Sequence, residues 1–582
     1  MPTISVEQNL LRHLLSQHGL THDVEAMGDQ LPLMGTDIDQ CDDDTLNIEI
    51  FPDRPDLLSG ETLAHAIRPF LHGTKATPEM EVSPSGISIE VDATLAEVRP
   101  VILGAVVKGV DIHGGEEEME AFIKSLMDHQ EKLHFALGRG RKRASIGVHD
   151  LTSLQAPFRV VAVPGTTEFI PLGETSPMSI DSILQHHPKG IDYAHLLTGM
   201  NNFPLILDAN DAVLSFPPII NGQHTTVNHN TKEFFIDVTG WDERACEAAL
   251  MLVCLQLQER GGSVFSVEIT TCHGQTIQSP VGEGISHHVP EELVANLLGR
   301  LFTDEELQHA INRMGGQFNG RRPALSNAPT KAQKMAEASA GTSLLDFTMP
   351  RWRFDLLHPV DMVEELAIGH GYEDLGEDNP KAQLTAQPRS DHNMRRRLRE
   401  SMQGLGFMQI QSLTLSNKKD QFHSMRWEIN HQITTITNPI TIDHTILRQH
   451  LLPGLLRLLS TNRHHDLPQG VYELGSVVRD HQNTDRLAFI MAERSGGFAA
   501  VRGRIQALCN DLGVTSWHAE PMEANEGPWL AGRGAKLIIN GRWVGCFGEI
   551  DPAVASLFEL RVPLNGAEID VAALMNQVTD PV

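Results

Sequence analysis

Four acids in a short span, Asp355, Asp361, Glu364 and Glu365, have the composition and spacing of a hard-cation site. Asp361, Glu364 and Glu365 stand at i, i+3 and i+4, which puts them on one face of a predicted helix, while Asp355 reaches in from the end of the preceding strand. Oxygen-only ligands of this kind suit Mg²⁺, which keeps several waters and accepts few carboxylates. The same residues admit a purely structural reading: after Pro359, Asp361 and Glu364 can cap the helix, and acids in a first turn are favoured by its dipole. Spacing alone leaves both readings open.

A second set consists of polar residues held among apolar strands. Ser215 lies in VLSFPPIIN and Asn221 ends that segment. Asp237 and Thr239 lie in EFFIDVTG, two apart on a predicted strand and so on one face. They also admit a reading as the start of a turn and the cap of the next helix. No Ser-His-Asp or Cys-His arrangement is legible, so these residues imply no protein nucleophile. Two basic clusters stand out, RGRKR (Arg139, Arg141, Lys142 and Arg143 around Gly140) and Arg395 to Arg399. Each can be a solvated turn or helix start. With Gly138 the first spells G-x-G-x-x-R, but it lacks the strands that flank a nucleotide-gripping motif and is read as chance.

These residues need elements to hold them. A chain of 582 residues exceeds one hydrophobic core and is expected to form roughly four domains. Residues 1–90 read as a mixed domain: a helix from about Val6 to His18, a strand with Leu46, Ile48 and Ile50 alternating, and a helix near Ser59 to Arg68. A Pro-, Ser- and Gly-containing stretch around Thr77 to Gly86 closes it. Residues 91–280 read as α+β, with strands VILGAVV, FRVVAV, PLILD, VLSFPPIIN and EFFIDVTG and helices over Glu116 to about His134 and Asp242 to Glu259. Residues 281–380 read as a helical domain carrying the acidic motif, with Thr303 and Glu306 as a capping box and a polar loop from about Gln317 to Gly341 as an insertion. Residues 385–582 hold the most regular strand signals, QIQSLTLS, AKLIIN and WVGCFGEI, with Asn540-Gly541 as a hairpin turn and a helix around Arg502 to Leu512. One large antiparallel sheet flanked by helices is expected there.

A net charge of −29 opposes wrapping of a polyanion by this chain alone. The six cysteines form no C-x-x-C pair and suggest neither a disulfide framework nor a zinc ribbon, which suits a reducing cytoplasm. No run of 18 apolar residues predicts a membrane span, and the opening residues lack the unbroken apolar segment of a signal peptide.

Three stretches carry a family resemblance: Gln130 to Leu151, Pro350 to Tyr372 and Leu398 to Asn417. Each resembles a signature of the phenylalanyl-tRNA synthetase β chain of the archaeal and eukaryotic type, and FPDRPDLLSGE, VLSFPPIIN, RQHLLPGLL and FGEIDPAV add to the match over essentially the whole chain. The resemblance implies an assembly of two α and two β chains, with ATP-dependent activation of phenylalanine on α, and tRNA(Phe) as the shared substrate. It implies that Asp355, Asp361, Glu364 and Glu365 bind Mg²⁺ near the contact with α. It also implies that the second domain hydrolyses Tyr-tRNA(Phe), with Ser215, Asn221, Asp237 and Thr239 in its pocket and with hydrolysis resting on positioned water and substrate groups. The RGRKR turn, in that domain by sequence, reads as contacting tRNA phosphates near the acceptor end, with a solvated loop or a contact with α as the alternative. The last domain resembles a class II synthetase core yet shows no G-x-G-x-x-R and no F-R-x-E. Its nearest candidate, GRGAKL, places Leu537 where the arginine is needed, so the core is expected to be catalytically degenerate and to pack against α. The rival readings are a scaffold that has lost editing and a free-standing hydrolase of mischarged tRNA.

Overall fold

Ile4 and Val6 alternate with polar neighbours, a period of two, and form strand β1 (Thr3–Glu7); the helix expected from Val6 therefore starts only at Gln8 and runs to Ser16. The computed structural model describes residues 2–112, 115–323, 343–376, 386–523 and 526–578, in two compact units, 1–379 and 380–582. In the first unit, β1 joins β2 (Thr36–Cys41) and β3 (Thr45–Ile50) in a sheet of order β1-β3-β2. The helix Gly60–His72 follows, opened by a Ser59–Thr62 capping box.

The stretch that composition marks as a domain boundary is instead strand β4 (Val82–Val91), which buries Ile89 and Val91 in the next sheet. That sheet also contains β5 (Val101–Lys108), β6 (Ala144–Asp150) and β7 (Phe158–Pro164). A two-stranded excursion, β8 (Glu168–Phe169) and β9 (Met178–Ser179), precedes β10 (Asn202–Leu207), β11 (Val213–Phe216) and β12 (Ile220–Asn221). The sheet is completed by β13 (Glu233–Gly240), β14 (Ser263–Thr270) and β15 (Thr276–Ser279). The strand order is β12-β11-β10-β7-β4-β14-β5-β13-β6, with β15 on β14. Helix Glu243–Gln258, capped by Asp242, is buried nearly all round, packing on β5 and β13 and against helices Gly60–His72 and Glu116–Ala136. It explains why residues 1–90 do not stand apart: Glu61 bonds Arg260 at 2.6 Å and Gln256 at 2.9 Å, and Arg68 reaches Glu259 at 2.6 Å, around one continuous apolar core.

The segment expected to be helical is mixed. β16 (Ile285–Pro290), β17 (Gln317–Pro323) and β18 (Ser343–Met349) form a sheet of order β16-β18-β17 beside helices Glu291–Leu298, Asp304–Arg313 and Pro359–His370. The Thr303–Glu306 capping box is present. The expected loop begins as β17, and its part from 324 to 341 lies outside the described residues.

In the second unit, QIQSLTLS contributes only β19 (Met408–Gln409) and β20 (Leu415–Ser416), the latter paired with β21 (Ile446–Leu447). Then come β22 (Gln469–Arg479), β23 (Gln482–Ala492), β24 (Trp517–Pro521), β25 (Trp529–Ile539), β26 (Arg542–Ile550) and β27 (Leu564–Asp570). The order β19-β22-β23-β27-β26-β25-β24 is antiparallel except for the β19–β22 pair. Asn540 and Gly541 make the β25–β26 turn at φ +51° and +78°, the left-handed pair that such a hairpin requires. Both faces are covered. Leu487, Phe489 and Met491 of β23 pack under helices His392–Gly404 and Phe498–Asp511, while Ala488, Ile490 and Ala492 pack toward helix Leu452–Thr461.

Candidate active site

In the ten-stranded sheet, β12 and β6 are its two free edges, yet Asn221 Nδ2 at the end of β12 donates to the Val148 carbonyl in β6 at 3.3 Å. The sheet therefore curls until its edges meet at a seam. A second clasp lies beside the first: the Arg141 guanidinium donates to the carbonyls of Pro218 and Ile219, at 3.1 and 3.0 Å, in the turn that joins β11 to β12. Between the clasps lies a cavity of ≈ 260 Å³, walled by Glu131, Arg141, Ser145, Ser215, Asn221 and Asp237 among others. The seam thus supplies polar groups converging on a half-enclosed space, the arrangement expected of a ligand site.

Ser215 and Asn221 face each other across the β11–β12 pair, with Ser215 Oγ donating to Asn221 Oδ1 at 3.3 Å. Asp237 comes from β13, between β5 and β6, and is 2% exposed. Its Oδ2 lies 2.7 Å from Nε2 of His149, a fully buried ring whose Nδ1 lies 2.8 Å from Thr225 Oγ1. Thr239 shares the face of Asp237 but stands behind the wall. Its hydroxyl accepts from Arg99 Nε at 2.7 Å and lies 3.0 Å from Ser145 Oγ. Neither residue caps the following helix, a role taken by Asp242. Burial draws the pKa of Arg99 down to about 10, against the opposing pull of Cys246 and Asp237, leaving it charged at neutral pH. Across the cavity the His134 ring, 3.6 Å away, and Arg141 hold the Glu131 carboxyl down at about 2.

Only part of the basic turn faces outward. Arg139 and Lys142 are exposed, whereas Arg141 is buried in the seam clasp and Arg143 is bonded to Asp242 and packed over the Phe354 ring. The expectation that all four meet phosphates is thereby reduced to two. Arg139 and Arg141 both sit at positive φ, +46° and +66°, the left-handed backbone that turns the chain from helix Glu116–Ala136 into β6. Arg395 and Arg397 in the other basic cluster are ion-paired with Asp485 and Asp511, on the flank of their own helix.

The four acids of the proposed cation site are not gathered as one ligand set. Asp355 takes Arg353 Nε at 2.9 Å and Nη2 at 2.5 Å, and Glu365 takes Nη1 of the same guanidinium at 2.6 Å. Burial opposes the charge of Arg353, but the carboxylates of Asp355 and Glu365 outweigh it and raise its pKa well above the usual value. Adjacent helical positions are about 100° apart, so Glu364 points to solvent while Glu365 is buried; the two do not share a face. Asp361 accepts the amides of Leu357 and His358 at 2.7 and 2.6 Å, the capping role. Within this chain a guanidinium engages Asp355 and Glu365, and backbone amides engage Asp361. Among the described residues, the one group of three or more His, Cys, Asp or Glu ligand atoms within reach of a single ion is Glu116, Glu120 and His229, on the surface.

His149, Thr225, Arg99 and Glu131 escaped sequence reasoning. The available signal was Gly147-Val148-His149, a glycine and a histidine two apart on one strand face opposite Asp237.

Comparison with known proteins places family models over three segments: the B3/4 domain over 103–258, the tRNA synthetase B5 domain over 287–372, and the phenylalanyl tRNA synthetase beta chain CLM domain over 376–571. The seam cavity lies in the first and the four acids in the second. A Methanococcoides burtonii protein named phenylalanine--tRNA ligase beta subunit is 36% identical over 98% of this chain and 100% of its own length. One of the same name from Methanothrix thermoacetophila is 37% identical, over 94% and 96%. The crystal structure of an N-terminal fragment of the phenylalanyl-tRNA synthetase beta subunit from Pyrococcus horikoshii covers 64% of this chain and 100% of the fragment, at 27% identity and a TM-score of 0.54.

Proposed function

The chain belongs to the phenylalanine–tRNA ligase beta-subunit family, and from that premise we propose that it hydrolyses Tyr-tRNA(Phe) at the seam cavity while an alpha subunit makes phenylalanyl-tRNA(Phe). Tyrosine is phenylalanine with one added hydroxyl, and an apolar activation pocket rejects such an analogue by only about 10². A second site must therefore favour the hydroxyl. The observation that carries the reading is Asp237, a buried carboxylate in the cavity wall, with Ser215 and Asn221 facing it across the seam. A phenol donating to Asp237 would be held, and phenylalanine would leave that acceptor unpaired.

The seam supplies no activated nucleophile. The Ser215 hydroxyl donates to Asn221, and His149 is turned to Asp237 and Thr225, so the attacking water is positioned by the wall and by the substrate's own groups. Arg139 and Lys142, exposed on either side of Arg141, are proposed to meet phosphates near the tRNA acceptor end.

The second unit supports a docking role. Its seven-stranded sheet reads as a class II-like core, and Leu537, at the arginine position of GRGAKL, is buried in apolar packing, so that segment offers no arginine to ATP and the nucleotide is assigned to alpha. Met408 of β19 and Leu413, Ile429, Ile440 and Ile442 between β19 and β21 expose apolar side chains, suited to burial by alpha in an assembly of two alpha and two beta chains in the cytoplasm. No helix among the described residues is long and apolar enough to cross a membrane.

The test is deacylation of preformed Tyr-tRNA(Phe) by the co-expressed complex. Asp237→Asn should lower kcat/KM about 10- to 150-fold, the worth of one hydrogen bond to a charged acceptor, and leave charging with phenylalanine intact. Undiminished deacylation would reject the site.

A further inference from the structure

Asp237 does not stand in the cavity wall unaided. Gly147 lies directly across from it in the β13–β6 register, and His149 is the next residue on the same face of β6. A Cβ on Gly147 would fall 2.0 Å from Asp237 Oδ2 and 2.8 Å from His149 Nε2, so the missing side chain is what lets the carboxylate fold over β6 and reach the ring. The ring is held from other sides as well. Phe235, itself packed on Phe158, lies 6.0 Å from its centre, and Thr225 holds the far nitrogen.

The hydrogen bonds constrain the protons. The Thr225 hydroxyl has a single hydrogen and two neighbours for it, the Gly222 carbonyl at 3.0 Å and His149 Nδ1 at 2.8 Å. If it donates to Gly222, it can only accept from Nδ1–H, and an Nε2–H facing Asp237 then makes the ring an imidazolium beside a carboxylate. If it donates to Nδ1, the ring is neutral and its proton sits on Nε2. In both states Asp237 Oδ2 receives Nε2–H, while Oδ1, which accepts no hydrogen bond among the described residues, is left to the cavity.

We propose that His149 is a positioning residue: with Thr225 behind it and Gly147 making room, it holds Asp237 as an acceptor with one oxygen turned to the substrate's phenolic hydroxyl. The inference rests on the seam cavity being the Tyr-tRNA(Phe) hydrolase and deepens it. His149 touches no substrate atom; it acts through Asp237. Without its N–H, the carboxylate would lie beside Phe235 with no donor on that side. It would then be free to turn, and a carboxyl turned off the cavity no longer offers the same acceptor to tyrosine.

The experiment uses the full α–β complex and compares deacylation of Tyr-tRNA(Phe) and Phe-tRNA(Phe). His149→Phe should lower kcat/KM for Tyr-tRNA(Phe) about 10- to 100-fold, as for loss of a hydrogen bond to a charged group. Hydrolysis of Phe-tRNA(Phe) should stay at its slow rate, so the preference for tyrosine collapses, and phenylalanine charging should be unchanged. His149→Gln can donate to Asp237 and accept from Thr225, and should restore the preference to within about 3-fold, half a hydrogen bond's worth. Equal loss in the Phe and Gln variants would overturn the positioning role, as would full activity of a folded His149→Phe complex. Should the Phe variant not fold, Thr225→Val, which strips the ring's outer partner, must still lower the tyrosine preference; no change there overturns the proposal. Asp237→Asn distinguishes the two levels. If it is inactive while His149 variants are normal, only the positioning role falls; if it too is fully active, the hydrolytic site itself is elsewhere.

Discussion

Replacing Arg353 by Met would leave the carboxylates of Asp355 and Glu365 without the cation that neutralises both. The side chain of Arg353 is 2% exposed, and those of Asp355 and Glu365 are 11% and 5% exposed, so water cannot make up the loss. Stripping one partner from such a buried network costs about 3–5 kcal/mol. Unfolding entropy of about 2.1 cal/mol/K per residue, over the 379 residues of the first unit, is about 0.8 kcal/mol/K. A loss of about 4 kcal/mol should therefore lower that unit's midpoint by about 5 °C. The assay is thermal unfolding of the complex, wild type against Arg353→Met, with EDTA or with millimolar Mg²⁺. Wild type should melt alike in both, because the guanidinium already occupies the place of a cation; the variant should regain part of its loss in Mg²⁺. Adding Asp355→Asn and Glu365→Gln to Arg353→Met should also recover stability, since the stranded charges are then gone. A wild-type midpoint that rises with Mg²⁺, or a triple variant no better than the single one, would refute the guanidinium account.

In the second unit, Glu568 takes the His450 Nδ1–H at 2.9 Å and the amides of Leu451 and Leu452 at 3.0 and 3.1 Å, at the start of helix Leu452–Thr461. Burial opposes its ionisation, yet His450, Arg486 and Arg479 override it and bring the carboxyl from 4.5 to about 2. A folded-state value below the unfolded one stabilises the protein above pH 4.5, and that contribution fades as pH falls toward 2. Chemical denaturation should show Glu568→Gln roughly 3 kcal/mol less stable at pH 7, with the gap closing through this acid window; a constant gap would count against it. For the apolar surface, Ile440 and Ile442 are 100% and 86% exposed, so Ile440→Asp with Ile442→Asp should leave the isolated fold's stability unchanged. Titration of the full-length chains should show at least a roughly tenfold weaker hold on alpha, as for loss of interface anchors, and unchanged affinity would remove these residues from the docking surface.

Local periodicity made most elements legible in the sequence, because it reports which face of a segment is buried. The alternation of Leu46, Ile48 and Ile50, the Thr303–Glu306 cap and the Asn540-Gly541 turn all stand as the residues imply. The misses share a cause. β1 is five residues long and abuts a helix, so its period of two merges into the helical one; β4 carries Pro84 and Gly86, which composition reads as a linker, yet it is covered on both sides by β7 and β14. In the acidic motif charge meets packing: spacing places carboxylates on a helix but cannot show that Arg353, in the strand end before it, reaches two of them.

The seam is the harder case, and it shows what makes the candidate site. Asn221 meets Val148 across 73 positions of chain, and Asp237 meets His149 across 88, contacts that no local pattern encodes. Their cause is curvature. A sheet this long, twisted and coiled as L-residues require, brings its first and last strands together, and the backbone groups left over at two free edges must find partners there. Side chains do that work: Asn221 on one edge and Arg141 on the other saturate carbonyls that a flat sheet would expose, and the gap between them becomes the cavity. The groups that close the fold therefore also line the site. It follows that substitutions at Asn221 or Arg141 should register in both stability and deacylation.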